Sequence, residues 1–105
     1  MELKVLWTDN AIEQLENIFD YYKFKAGDNT AKKQVTKIVD RTIQLETLPE
    51  SGQLEELLSD RKNHFRYIIE GNYKIIYWIE KSVVNIATVF DTRQNPSKMK
   101  DVKGE

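Results

Sequence analysis

The chain has 105 residues, 40% of them hydrophobic and 31% charged, with a formal net charge of −1. That length is expected to form one domain and not two, and the composition is that of a globular domain rather than a disordered chain. Cysteine is absent, which excludes disulfides, Cys-based zinc sites and thiol chemistry; there is no run of about 18 apolar residues to span a membrane; and a pI near 5.9 is not that of a dedicated nucleic-acid binder.

Leu3 to Trp7 alternates, with Leu3, Val5 and Trp7 on one side, and reads as a short strand that joins a sheet. The same alternation is unlike a charged stub followed by a long apolar region, so no secretion signal is expected and the location expected is cytoplasmic. Thr8, Asp9 and Asn10 offer three N-caps, and Asn10 with Glu13 has capping-box spacing. Ala11, Leu15, Ile18, Phe19 and Tyr22 then form a helical stripe that ends near Gly27, a residue able to take positive φ. Asp28 or Asn29 is expected to cap a second helix, whose stripe of Ala31, Val35, Ile38, Thr42 and Leu45 runs to the Pro49 and Gly52 break. The short link between the two stripes predicts an antiparallel helical hairpin. Gln53 to Asn63 is locally acidic, and its Leu54, Leu57 and Leu58 call for burial against the body.

His64 to Asp91 is rich in aromatic and β-branched residues. It breaks at Gly71-Asn72 and Lys81-Ser82, which predicts three strands joined by two-residue turns. In that register one face carries Ile68, Tyr73, Ile75, Tyr77, Ile79, Val84, Ile86, Thr88 and Phe90, and is expected to meet the helices. The other carries Phe65, Tyr67, Ile69, Lys74, Ile76, Trp78, Asn85, Ala87, Val89 and Asp91, with Arg93 joining if the strand runs on. This second face is the expected open, working surface. Arg66 falls on the apolar face, and a one-residue slip or a bulge would move it across. The expected architecture is α+β: an N-terminal strand, a two-helix antiparallel hairpin and a three-stranded antiparallel meander, with the helices on one face of the sheet. Residues 1–96 form the single domain, and the polar tail 97–105 is expected to fray.

The catalytic possibilities are narrow. His64 is the only histidine and no carboxylate cluster has metal-ligand spacing, so no metal is expected. A Ser-His-Asp triad lacks a nucleophile motif, and four glycines supply no phosphate loop, so no cofactor is expected either. What remains is Lys74, Arg93, Tyr67 and Arg66, with Trp78 nearby. Cations beside aromatics on a sheet face could hold a phosphate backbone and stack a base, and phosphodiester cleavage there would rely on Lys and Arg for charge stabilisation. The competing reading makes the aromatics packing residues, and pairs Lys74 and Arg93 with Glu70 and Asp91.

The run from Arg66 to Glu80, a last strand ending in Val89-Phe90-Asp91-Thr92-Arg93-Gln94-Asn95-Pro96, and the preceding two helices with the Leu48-Pro49 to Gly52 break resemble the RelE/ParE superfamily of type II toxins. These are the toxin halves of bacterial toxin–antitoxin modules, also known as plasmid stabilisation proteins. The similarity spans Leu3 to about Pro96. It implies a toxin neutralised by a cognate antitoxin that wraps it with a helix and an extended segment. Its two branches imply different targets: RelE-like members cleave mRNA on the ribosome, and ParE-like members poison DNA gyrase. Where RelE-like ribonucleases carry an Arg after the hairpin Tyr, this chain has Lys74, which keeps the charge but not the bidentate fork. Where they carry Lys on the preceding strand it has Phe65 and Tyr67, and no Tyr or His follows Arg93. The resemblance therefore lies closer to the ParE-like side. Growth inhibition through gyrase is the leading expectation, a ribosome-dependent mRNA endonuclease using Lys74 and Arg93 the alternative, and an inactive relative that retains antitoxin binding the third.

Overall fold

In a computed structural model, which describes residues 2–101, the chain opens with strand β1 (Lys4–Trp7) and helix α1 (Asp9–Ala26). Helix α2 (Asp28–Ile43) follows and tightens into a 3-10 turn at Gln44–Glu46. Then come the two-residue strand β2 (Gln53–Leu54), a 3-10 turn at Glu56–Leu58, strands β3 (Arg66–Glu70), β4 (Tyr73–Glu80) and β5 (Val83–Asp91), and a 3-10 turn at Pro96–Asp101. One five-stranded sheet runs β1-β5-β4-β3-β2. β1 lies parallel to β5, and every other pairing is antiparallel. The α+β architecture predicted from the sequence is the one observed, with β2 added at the far edge.

Of the three caps the sequence offers α1, Thr8 is the one used, and the capping-box spacing of Asn10 with Glu13 is not: the Thr8 Oγ1 accepts from the Ala11 N–H at 3.2 Å and donates to the Ile86 carbonyl at 2.8 Å. Asn10 instead donates its amide to the Ala87 carbonyl at 3.1 Å. The first turn of α1 is thereby tied to β5. Gly27, at φ 93°, both ends α1 and begins α2, so Asp28 lies in the first turn of α2 and does not cap it. A residue with a Cβ would be strained at that φ, which explains a glycine at the hairpin corner.

Both predicted hairpin turns have two residues. At the first, only Gly71 takes positive φ, as a II′ turn requires of its first central residue; at the second, Lys81 (φ 51°) and Ser82 (φ 63°) both do, the I′ pattern, without glycine.

Ala11, Ile18, Ile38 and Leu45 from the helical side pack on Ile68, Ile75, Tyr77, Val84 and Ile86 of the sheet, forming the main core. Arg41 ties α2 to β3 by donating from Nε to the Ile69 carbonyl at 3.0 Å. Along β5 the predicted register fails in its second half. Tyr77 pairs with Ile86 while Ile76 pairs with Thr88, so Ala87 is an extra residue at a β-bulge. A single inserted residue reverses every side chain beyond it. Val89 therefore joins the helix-side core and Asp91 stands opposite Tyr73, while Phe90 pairs with Lys74 and packs on the other face.

The second sheet face is covered, contrary to the expectation that it stands open. Leu58, Phe65 and Met99 are each at most 2% exposed and pack with Ile76, Trp78 and Ala87 into a second, smaller core. Phe65 meets Trp78 edge to face at 5.7 Å, and the Trp78 indole N–H donates to Glu80 at 3.1 Å. The acidic segment after β2 thus supplies the burial its leucines called for through Leu58, while Leu54 and Leu57 remain exposed. The tail does not fray from residue 97: the turn at Pro96–Asp101 seats Met99 in this core, and burying such a side chain is worth about 1.5–3 kcal/mol. The last four residues of the predicted tail lie outside the described residues.

Candidate functional site

The four residues expected to act together occupy three separate places. Lys74 and Tyr67 are neighbours on the second sheet face. The Lys74 ammonium sits 4.2 Å from the centre of the Tyr67 ring and 2.8 Å from Glu55 Oε1. Glu55 comes from the segment that covers this face, and its side chain is only 5% exposed. Its second oxygen accepts from the Leu57 N–H at 3.4 Å, and its backbone N–H donates to the Phe65 carbonyl at 2.9 Å. Lys74 is therefore neutralised by a buried carboxylate, and Glu55 takes the place expected of Glu70. Tyr67 OH donates to Gln53 Oε1 at 3.0 Å, which closes the same arrangement at the sheet edge.

Arg66 points to the helix side, as the unshifted register placed it. Its Nη1 donates to the Gly52 carbonyl at 2.8 Å and to the Glu50 carbonyl at 3.3 Å. Tyr77 grips the same loop from the core: its OH donates to the Pro49 carbonyl at 2.7 Å and accepts from the Gly52 N–H at 3.0 Å. A Cβ at position 52 would lie 2.5 Å from that hydroxyl and 2.7 Å from the Tyr67 carbonyl, so the loop can close only over glycine. Burial pushes the Tyr77 phenol above its ordinary pKa. Arg66 and Tyr77 thus hold the loop between them.

Arg93 belongs with Asp91 and not with Lys74. Its guanidinium forms a two-pronged pair, Nε to Oδ1 at 3.0 Å and Nη2 to Oδ2 at 2.9 Å, and its backbone N–H donates to Oδ1 at 2.9 Å. These bonds hold the Asp91 carboxyl below its usual pKa, against a smaller opposing effect of burial, and raise that of Arg93. Across the strand pair, Tyr73 is buried and hydrogen-bonded to Tyr22, and burial first and that bond second push its phenol up. Because Asp91 faces the helices and Lys74 the opposite side, the bulge places the two predicted catalytic cations on different faces of the sheet.

A concavity of about 510 Å³ lies between α1 and the end of β5, and of the four predicted site residues only Arg93 lines it. Asn10, Gln14, Asn17 and Tyr21 of α1 form one wall, Thr88 to Asp91 of β5 the floor, and Arg93, Gln94 and Lys98 the other wall. The α1 residues recur at intervals of four, three and four, which sets them on one face of the helix. Asn10 reads in the sequence as a helix cap, and Gln14, Asn17 and Tyr21 fall off the apolar stripe, so none of them was singled out for a site. Their spacing was the available signal. Glu55 was passed over for the same reason, as one acid among several. Among the described residues, no group of three or more His, Asp and Glu side chains is placed to hold a metal ion. No described helix is long and apolar enough to cross a membrane.

Comparison with known proteins gives a consistent assignment. The family model described as the ParE toxin of the type II toxin–antitoxin system parDE matches residues 5–96. A search of curated proteins returns no match. Among solved structures, the fold is similar to that of a chain from the chromosomal ParDE toxin–antitoxin system of P. aeruginosa. The TM-score is 0.71 at 20% identity, over 86% of this chain and 96% of that one.

Proposed function

Because the chain belongs to the ParE toxin family of type II toxin–antitoxin systems, we propose that it arrests growth by acting on DNA gyrase and is held inactive by a cognate antitoxin. The observation that carries the choice of target is the dispersal of the predicted ribonuclease set. Lys74 is closed off by Glu55, Arg66 is spent on the Pro49–Gly52 loop, and Arg93 is locked to Asp91 on the other side of the sheet. Stabilising a developing phosphorane charge requires preorganised donors aimed at one point. General acid–base cleavage also requires a proton-transfer group within hydrogen-bond reach of the substrate. Lys74, Arg66, Arg93 and Tyr67 converge on no such point. Lys74 and Tyr67 act here as pins of the covering segment, and Arg93 as the clamp that sets the end of β5.

An antitoxin partner is supported by the family and by the solved relative, which comes from a ParDE system. Exposed apolar side chains, among them Phe24 at 86% and Leu54 at 56%, offer anchors for such a partner. The test is induced expression without antitoxin, followed by growth and by the integrity of cellular mRNA over the first minutes. Growth arrest with intact mRNA is expected. Cleavage of translated mRNA, abolished by Lys74→Ala or Arg93→Ala, would replace this reading with the ribonuclease one.

A further inference from the structure

The helical hairpin packs one side on the sheet and turns the other outward, and its outward charges are sorted by helix. Ala11 and Ile18 are the buried positions of α1, and Ala31, Ile38 and Thr42 those of α2. Counted round from them at about 3.6 residues per turn, Asp9, Glu13, Glu16 and Asp20 form a stripe along the outward side of α1. Lys32, Lys33 and Lys37 project from the exposed side of α2. These acids and lysines are all exposed, and none makes an ion pair among the described residues. The hairpin geometry keeps them apart. Asn10 ties α1 to β5 and Arg41 ties α2 to β3, so Arg41 marks the side of α2 that faces away from α1. Lys37 and Lys33 lie one and two turns before Arg41 on that far side, and lean away from the acids of their own chain.

Gly27 alone separates the two helices, so residues equidistant from it stand level. Asp20 is level with Gln34 beside Lys33, Glu16 with Ile38 beside Lys37, and Ile12 with Thr42 beside Ile43. Ile12 is 44% exposed and Ile43 54%, and they form an apolar pair at the open end of the hairpin. We propose that this outward face is a self-association surface, on which a second copy of the chain packs about a two-fold axis parallel to the helices. That axis sets α1 of each copy over α2 of the other and keeps level residues level. Glu16 and Asp20 then face Lys37 and Lys33 of the second copy, Ile12 meets Ile43, and symmetry makes every contact twice. Two residues run against the pattern. Lys23 on α1 is matched in its own chain by Asp28 at 3.9 Å, and Asp40 on α2 stands against Glu13 of the second copy. A face about 24 Å long and two helices, about 20 Å, across buries about 1,000 Å² in total, the lower limit for a specific interface. The dimer is therefore a weak one, of micromolar strength and screened by salt.

The experiment is sedimentation equilibrium of the purified full chain, freed of any antitoxin, across the micromolar range at low and high salt. A monomer–dimer equilibrium that weakens with salt is expected. Glu16→Lys/Asp20→Lys and Lys33→Glu/Lys37→Glu, with folding checked by circular dichroism, should each weaken it by about tenfold or more. Mixed in equal amounts, the two variants should pair with each other as tightly as the unaltered chain, because both halves of the interface regain opposite charges. Ile43→Glu should weaken the dimer at high salt as well as low. A chain that stays monomeric throughout the range would overturn the proposal. So would a dimer that neither reversal alters, or two variants that stay apart when mixed, since self-association would then use another face.

Discussion

Removing the Glu55 carboxylate tests whether Lys74 is a structural pin. In Glu55→Gln the ammonium keeps its place over Tyr67 but loses its anion at 2.8 Å. The Lys74 side chain is 22% exposed and Glu55 5%, so the pair lies between a surface bridge, worth about 0–1 kcal/mol, and a buried one, whose breakage costs about 3–5 kcal/mol. A loss of about 2 kcal/mol is expected. With a urea m-value of about 1 kcal/mol/M for a chain this size, the unfolding midpoint should fall by about 2 M. Lys74→Met keeps apolar contact with Tyr67 but leaves the Glu55 carboxylate buried without its cation, so it should cost at least as much. The double variant should recover about 1 kcal/mol or more relative to the sum of the two. If Glu55→Gln shifted the midpoint by less than about 0.5 M and the two substitutions added without coupling, the pin would be disproved. The pair also separates structure from chemistry. The Glu55→Gln/Lys74→Met protein should remain toxic if Lys74 only holds the cover, whereas a catalytic Lys74 would make it harmless.

Three further outcomes follow from the same structure. Tyr77→Phe strips the Gly52 N–H and the Pro49 carbonyl of their buried partner and should destabilise the fold by about 1–3 kcal/mol, measured by thermal or urea unfolding. Met99→Ala should cost about 2–4 kcal/mol because Met99 closes the second core, whereas a frayed tail would tolerate it with almost no change in midpoint. The Asp91 carboxyl, held below its usual pKa by Arg93, contributes stability that is present above the unfolded carboxylate value near 4 and lost as pH falls through the lower folded value. NMR titration should therefore find Asp91 below the ordinary carboxylate range, and Arg93→Gln should move it upward; an unchanged Asp91 in that variant would contradict the clamp.

Most of the architecture was legible because it rests on local patterns. The two apolar helical stripes, the Gly71-Asn72 turn and the alternation of β4 each report a local conformation directly. The bulge at Ala87 was not legible, because an inserted residue leaves the composition of a strand unchanged while reversing the faces beyond it. That single displacement moved Asp91 to the helix side, carried Arg93 with it, and dissolved the predicted cationic site. The cover on the second face was hidden for another reason. Leu58, Phe65 and Met99 come from separate, weakly patterned segments, and only tertiary packing brings them together. Glu55 gave no signal among its acidic neighbours until the fold set it opposite Lys74. The sequence left the face of Arg66 open, and the structure keeps it on the helix side because the bulge lies between β4 and β5 and leaves the β3–β4 register unbroken.

The most direct measurement for the proposed target is supercoiling of relaxed plasmid by purified DNA gyrase and ATP, with increasing amounts of this chain freed of antitoxin. Inhibition of supercoiling, reversed by adding the product of the adjacent gene, is the predicted result. Undiminished supercoiling at a toxin excess that still stops growth on expression would contradict gyrase as the target.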